Sequence, residues 1–147
     1  MYRPLFIFLF LICIFLNTIN ATVTSLQRQV ITFPEEAKGR IYSAINKCAG
    51  SESKAAELIK IVQEGKVRDD EDFKTFIHCA YKESGYAFEN GRVNVKLSFP
   101  LYPDPVAMQK VMDLCDQKRG NTAVETTFEF FKCFQDTSPF LIGASVE

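Results

Sequence analysis

The chain has 147 residues, a length typical of one domain. Its 17 basic and 18 acidic residues nearly balance, which argues against a nucleic-acid partner, because nucleic-acid-binding domains carry a clustered basic face. With 47% hydrophobic and 13% aromatic residues, the composition also argues against an intrinsically disordered chain.

The first residues have the pattern of a secretion signal. Residues 5–16 are an unbroken apolar run that follows Arg3, and this run is shorter than the roughly 20 residues of a membrane-spanning helix. Ala21 is a small residue at a plausible cleavage site. We therefore expect residues 1–21 to be a signal peptide and residues 22–147 to form the domain of a secreted, extracellular protein.

The cysteines indicate disulfides. Cys13 lies in the expected signal peptide, and four cysteines follow it, namely Cys48, Cys79, Cys115 and Cys133. An even number in a small secreted domain is typical of a disulfide framework, and four cysteines allow three pairings that sequence alone does not distinguish. No two cysteines have CxxC spacing and the chain has a single histidine, so we expect no metal site.

The first two predicted helices follow a segment with weak structural signals. Residues 22–33 show no clear periodicity, and we interpret them as a loose arm. The first helix begins after Pro34, with two acidic residues in its first turn, and Gly50 ends it. The second helix carries an apolar stripe at helical spacing and ends at Gly65.

The third helix and the segment after it have contrasting patterns. Acidic residues 69–72 begin the helix, an apolar face follows, and Gly85 ends it. In residues 86–103, a turn signal at Asn90-Gly91 and an alternating pattern suggest a short strand or hairpin. Because two strands without a sheet would be marginal, we predict an extended ordered loop instead.

Two helices with strong start signals complete the domain. Asp104-Pro105 combines a capping acid with proline at the first helical position, and Gly120 ends the fourth helix. Thr122 and Glu125 have the spacing of a capping box at the start of the fifth helix, which Pro139 ends. Residues 140–147 form an apolar tail. Helix-on-helix packing must build the core, which predicts an all-α bundle.

Signals of enzyme chemistry are absent from the sequence. His78 is the only histidine, no HExxH or G-x-S-x-G motif occurs, and we expect neither an enzyme nor a cofactor. For His78 we favour an ordinary half-buried side chain over a pH sensor. The many phenylalanine and methionine side chains predict a filled core or, as the alternative, the wall of an apolar pocket.

The cysteine spacing resembles that of the insect odorant-binding protein family, which comprises pheromone- and general odorant-binding proteins. The successive gaps between the four cysteines are 30, 35 and 17 residues. The family normally has six cysteines, and Thr75 and Val124 stand here in the places of the second and fifth. The chain therefore resembles the four-cysteine "minus-C" type. Residues 73–79, 85–95 and 131–133 also resemble family segments.

The resemblance implies a fold, a pairing and a function. It implies a compact bundle of five to six helices around an internal apolar cavity, with the disulfides Cys48–Cys79 and Cys115–Cys133. It also implies a carrier of small hydrophobic molecules such as odorants, pheromones or lipidic metabolites. A membrane receptor is a further implied partner, and the expected state is a monomer or weak homodimer.

We chose candidate cavity residues from the predicted helix faces and the family analogy. They are Tyr42, Ile45, Phe76, Ala80, Phe99, Met108, Val111, Met112, Phe128, Phe131, Phe140 and Leu141. Tyr42, Tyr102 and Thr75 are candidates to offer a hydroxyl to the ligand.

Two alternative functions remain open at this point. One is a carrier outside the olfactory organs, in haemolymph, venom or a gland secretion, which tissue expression would distinguish. The other is a secreted effector that acts on membranes. The slightly negative net charge of −1 argues against the effector, because membrane-active helices tend to be basic.

Overall fold

The computed structural model describes residues 28–143, so the expected signal peptide and residues 144–147 lie outside the described residues. Within that range the predicted all-α fold is confirmed, with six α-helices and one pair of short strands. The elements are β1 (Gln29–Ile31), α1 (Glu35–Ala49), α2 (Glu52–Gln63), α3 (Glu71–Glu83), α4 (Val95–Ser98), α5 (Pro105–Cys115), α6 (Ala123–Thr137) and β2 (Phe140–Ile142). No helix in this range is long and apolar enough to cross a bilayer.

Local capping explains where the longer helices begin. The Asp104 carboxylate accepts hydrogen bonds from two backbone N–H groups in the first turn of α5, at 3.0 and 3.1 Å. Thr122 and Glu125 form the predicted capping box at the start of α6. Asp70 accepts from the Phe73 N–H at 3.0 Å and begins α3. The start signals seen in the sequence at α5 and α6 are therefore confirmed.

Helix α6 is the centre of the bundle. It packs against α3 on one side and α5 on the other, and α3 packs in turn against α1. The Cys48–Cys79 disulfide joins α1 to α3, and the Cys115–Cys133 disulfide joins α5 to α6. These are the two pairs that the family resemblance implies.

The segment between α3 and α5 differs from the predicted extended loop. A turn at Asn90-Gly91 brings Ala87 and Val93 into an isolated antiparallel bridge. The chain then forms α4 and a 3-10 turn, Phe99–Leu101. The prediction of extended chain is wrong for this part because the Asn94 side chain accepts from the Leu97 N–H and begins a short helix. The apolar alternation concealed that cap.

The predicted loose arm and apolar tail pair with each other. β1 and β2 run parallel, with Gln29 opposite Phe140 and Ile31 opposite Ile142. The Gly143 N–H donates to the Ile31 carbonyl at 2.6 Å. Two strands alone are marginal, but Ile31 and Phe140 are buried in the core. The arm prediction is therefore wrong for residues 29–31, while residues 22–27 lie outside the described residues.

Candidate ligand cavity

A cavity of about 120 Å³ lies between the helices. Its walls come from α1, α2, α3, α5 and α6, together with residues of the segment that links α3 to α5. The lining side chains are mainly apolar, and none of them is charged. An engineered apolar cavity of about 150 Å³ takes up benzene, so this cavity has the size of a molecule with roughly one aromatic ring.

Six of the twelve candidate residues line the cavity. α1 and α3 contribute most of them, which follows from the apolar faces that these helices turn toward each other. The six are Tyr42, Ile45, Phe76, Ala80, Met112 and Phe131. The proposed hydroxyl residue Tyr102 also lines it, whereas Thr75 is exposed and does not.

The structure places the other six candidates outside the cavity wall. Met108 and Phe128 are buried in filled core, and Phe99 and Val111 pack against the core cluster that contains Met108. The Phe140 ring stacks on the Tyr102 ring with centroids 6.3 Å apart. Leu141 lies beside Gly65. These apolar side chains pack against other parts of the protein and not against the cavity.

Two tyrosines that line the cavity, Tyr81 and Tyr86, are not among the candidate residues. Tyr81 lies one helical turn after Ile77 on α3, so the helical period could have indicated it. Tyr86 follows Gly85 in a segment with no helical period, and only the tertiary fold turns it toward the cavity. Two buried serines, Ser84 and Ser98, also line the wall.

The tyrosines of the wall are strongly desolvated. Burial raises the pKa of Tyr81 well above its ordinary value. Burial also raises the pKa of Tyr102, with smaller contributions from the nearby phenols of Tyr81 and Tyr86. The phenols of Tyr81 and Tyr102 are therefore neutral near neutral pH. The exposed Arg40 covers Tyr86 from outside, and its Nη2 donates to the Tyr86 hydroxyl at 2.9 Å.

The single histidine is not part of this wall. His78 is half-buried, and its Nδ1 lies 2.8 Å from the Thr127 hydroxyl. Burial lowers the pKa of His78, Lys82 lowers it further, and Glu89 opposes the shift. Within residues 28–143 no group of three or more histidine, cysteine or acidic side chains could hold a metal ion.

Comparison with known proteins points to one family. No curated protein matches the chain. The family model described as the PBP/GOBP family matches residues 31–137, well over half of the chain. This is a family of carriers, not enzymes, and its members bind small hydrophobic ligands such as odorants. The chain therefore belongs to the PBP/GOBP family of insect odorant- and pheromone-binding proteins.

Proposed function

We propose that this protein is a secreted carrier that holds one small, neutral, largely apolar molecule in the cavity between its helices. The observation that carries the proposal is the cavity itself, which has mainly apolar walls without a charged side chain. An apolar space lined by a few polar groups is the usual form of a small-molecule site. Family membership supports the same function.

Hydrophobic burial supplies most of the binding free energy. A ligand with one aromatic ring buries roughly 200 Å² of apolar surface, which at about 25 cal/mol per Å² stabilises the complex by about 5 kcal/mol. That corresponds to a Kd on the order of 0.1 mM. A reversible carrier of abundant small molecules suits this range, and tighter binding requires additional polar contacts.

Secretion is supported by the cysteines and the amino-terminal pattern. Both disulfides are of the kind that persists in oxidising compartments, and residues 1–21 have the pattern of a signal peptide. Membership of the four-cysteine branch of the family and the tissue of expression stay predictions. Measuring expression in antennae, haemolymph, venom and glands would distinguish an olfactory carrier from a carrier elsewhere.

The proposed function is tested by filling the cavity. Ala80 lines the cavity on α3, whereas Ala56 is exposed on α2. We expect Ala80→Leu to abolish binding of small aromatic ligands in calorimetric titrations while the apparent melting temperature is kept or raised, because the new side chain occupies open space. Ala56→Leu is the matched control and should bind like the parent.

Either of two outcomes would contradict the carrier function. The first is that the folded parent protein, with both disulfides formed, binds no small apolar ligand. That result would favour the membrane-active effector, which a liposome-leakage assay would then test. The second is equal binding by the parent and Ala80→Leu, which would place the ligand outside this cavity.

A further inference from the structure

Three tyrosines give one side of the cavity a polar character. Tyr81, Tyr86 and Tyr102 all line it, and we call them the tyrosine wall. Tyr81 and Tyr102 pack against phenylalanine rings of α6. The ring centroids are 6.5 Å apart for Tyr81 and Phe130, and 5.7 Å apart for Tyr102 and Phe134. Those two phenylalanine rings stack on each other, also 6.5 Å apart. Helix α6 thus holds both phenols at a common border of the cavity.

The hydroxyls of Tyr81 and Tyr102 have no partner among residues 28–143. Neither makes a hydrogen bond there, and both oxygens keep accessible surface although Tyr102 is only 8% exposed as a residue. Both hydroxyls therefore keep a hydrogen-bonding capacity that no residue in this range satisfies. The open space that both side chains border is the cavity.

Three other hydroxyls that line the cavity already have protein partners. The Ser84 hydroxyl donates to the Ala80 and Tyr81 carbonyls at 2.6 and 3.2 Å, and the Ser98 hydroxyl donates to the Asn94 carbonyl at 3.1 Å. The Tyr86 hydroxyl accepts from Arg40 at 2.9 Å. Tyr81 and Tyr102 can therefore each offer a hydroxyl hydrogen to a guest at their common border of the cavity.

We propose that Tyr81 and Tyr102 select ligands with a neutral carbonyl oxygen, to which both phenols donate hydrogen bonds. This inference rests on the proposed function, since it assumes that the cavity holds the ligand. A carbonyl oxygen has two lone pairs and can accept from two donors. The class of ligand is then a small ketone, aldehyde or ester with an apolar body.

Carboxylates and hydrocarbons fit this wall less well. A carboxylate in the cavity would be a buried charge, and no cation lines the walls to pair with it. A hydrocarbon would leave both phenols without partners. A neutral carbonyl satisfies the phenols and brings no charge.

The experiment compares three guests of nearly equal shape on the purified protein. Acetophenone carries the carbonyl, α-methylstyrene has a methylene group in its place, and benzoate carries a charge. We expect Tyr81→Phe and Tyr102→Phe each to weaken acetophenone binding by about 3- to 10-fold, while α-methylstyrene binding is unchanged or tighter. Benzoate should bind weakest to the parent. Comparing guests across variants isolates the hydrogen bond.

Ser43→Ala is the control, because it removes a hydroxyl from an exposed residue of α1 that lies outside the cavity wall. It should leave the affinity for acetophenone unchanged. Equal losses for acetophenone and α-methylstyrene in the wall variants, or no loss for either, would overturn the inference and leave the carrier function intact. If no guest binds the parent, the carrier function itself fails.

Folding of the variants gives an independent readout. Hydroxyls without a protein partner contribute no bond to the free protein, so both tyrosine-to-phenylalanine variants should melt at or above the parent temperature. A clear drop in melting temperature would show that the hydroxyls have a structural role, and it would contradict the assignment.

Discussion

Two aromatic regions of this protein have similar composition and different roles. The phenylalanine cluster, formed by Phe73, Phe76, Phe128 and Phe131, packs α3 against α6 with ring centroids 6.0–6.5 Å apart. The tyrosine wall borders the cavity. Phe73 is fully buried among its neighbours, whereas Tyr102 borders open space.

The difference shows how one oxygen atom changes an aromatic residue's role. In the phenylalanine cluster, ring edges meet ring faces and leave no polar atom to satisfy. A phenol packed in the same way would lose its bonds to water, so its hydroxyl is best placed beside a space that a guest can fill. Phe76 and Phe131 have both roles, since they belong to the cluster and also line the cavity.

The largest expected effect comes from removing one ring of the phenylalanine cluster. Phe73→Ala should lower the free energy of unfolding by about 3–5 kcal/mol, because it removes a fully buried ring and leaves a void among three other rings. Tyr102→Phe should change it by less than about 1 kcal/mol. Urea unfolding of both variants measures the contrast. Similar losses would mean that the two regions are packed alike.

A third disulfide would strengthen the packing contact between α3 and α6. Thr75 and Val124 stand at the places of the two missing family cysteines, and each precedes by three residues the contact between His78 and Thr127. Thr75→Cys with Val124→Cys should form a bridge and raise stability by about 2–4 kcal/mol through loop closure.

Thiol titration shows whether the bridge forms, and melting with and without reductant measures its effect on stability. The double variant Thr75→Ser with Val124→Ala is the control. Acetophenone affinity should stay unchanged, since neither residue lines the cavity. Two free thiols in the purified double variant would show that the helices cannot be joined there.

The smallest expected effect concerns pH. The pKa of His78 is lowered in the folded protein, mainly by burial, so folding favours the neutral ring. Its contribution is fully present above an unfolded pKa of about 6.5 and is lost as pH falls through the lower folded value. Carboxyls with lowered pKa values, such as those of Asp70 and Glu83, respond at still lower pH.

His78→Asn should therefore reduce the loss of unfolding free energy between pH 7 and pH 5. Asparagine keeps a donor for Thr127, whose hydroxyl donates to the Gly91 carbonyl at 2.8 Å. Ligand affinity should change equally with pH in the variant and the parent, because His78 lies outside the cavity wall. A pH dependence of affinity that vanishes in His78→Asn would instead support the pH-sensor interpretation.

Sequence by itself determined the features that depend on neighbours along the chain. Capping of α5 by Asp104 and of α6 by Thr122 is local, as is the helical period that places Phe76 and Ala80 on one face of α3. The cysteine spacing indicated the family, and the family implied which cysteines pair.

Only the tertiary structure decided which apolar faces meet protein and which meet open space. Met108 and Met112 lie one turn apart on α5, yet only Met112 borders the cavity. The pairing of β1 with β2 joins segments more than 100 residues apart, and three-residue strands carry no period to reveal it. Periodicity records that a side chain is buried, whereas its partners across the fold determine whether a space remains.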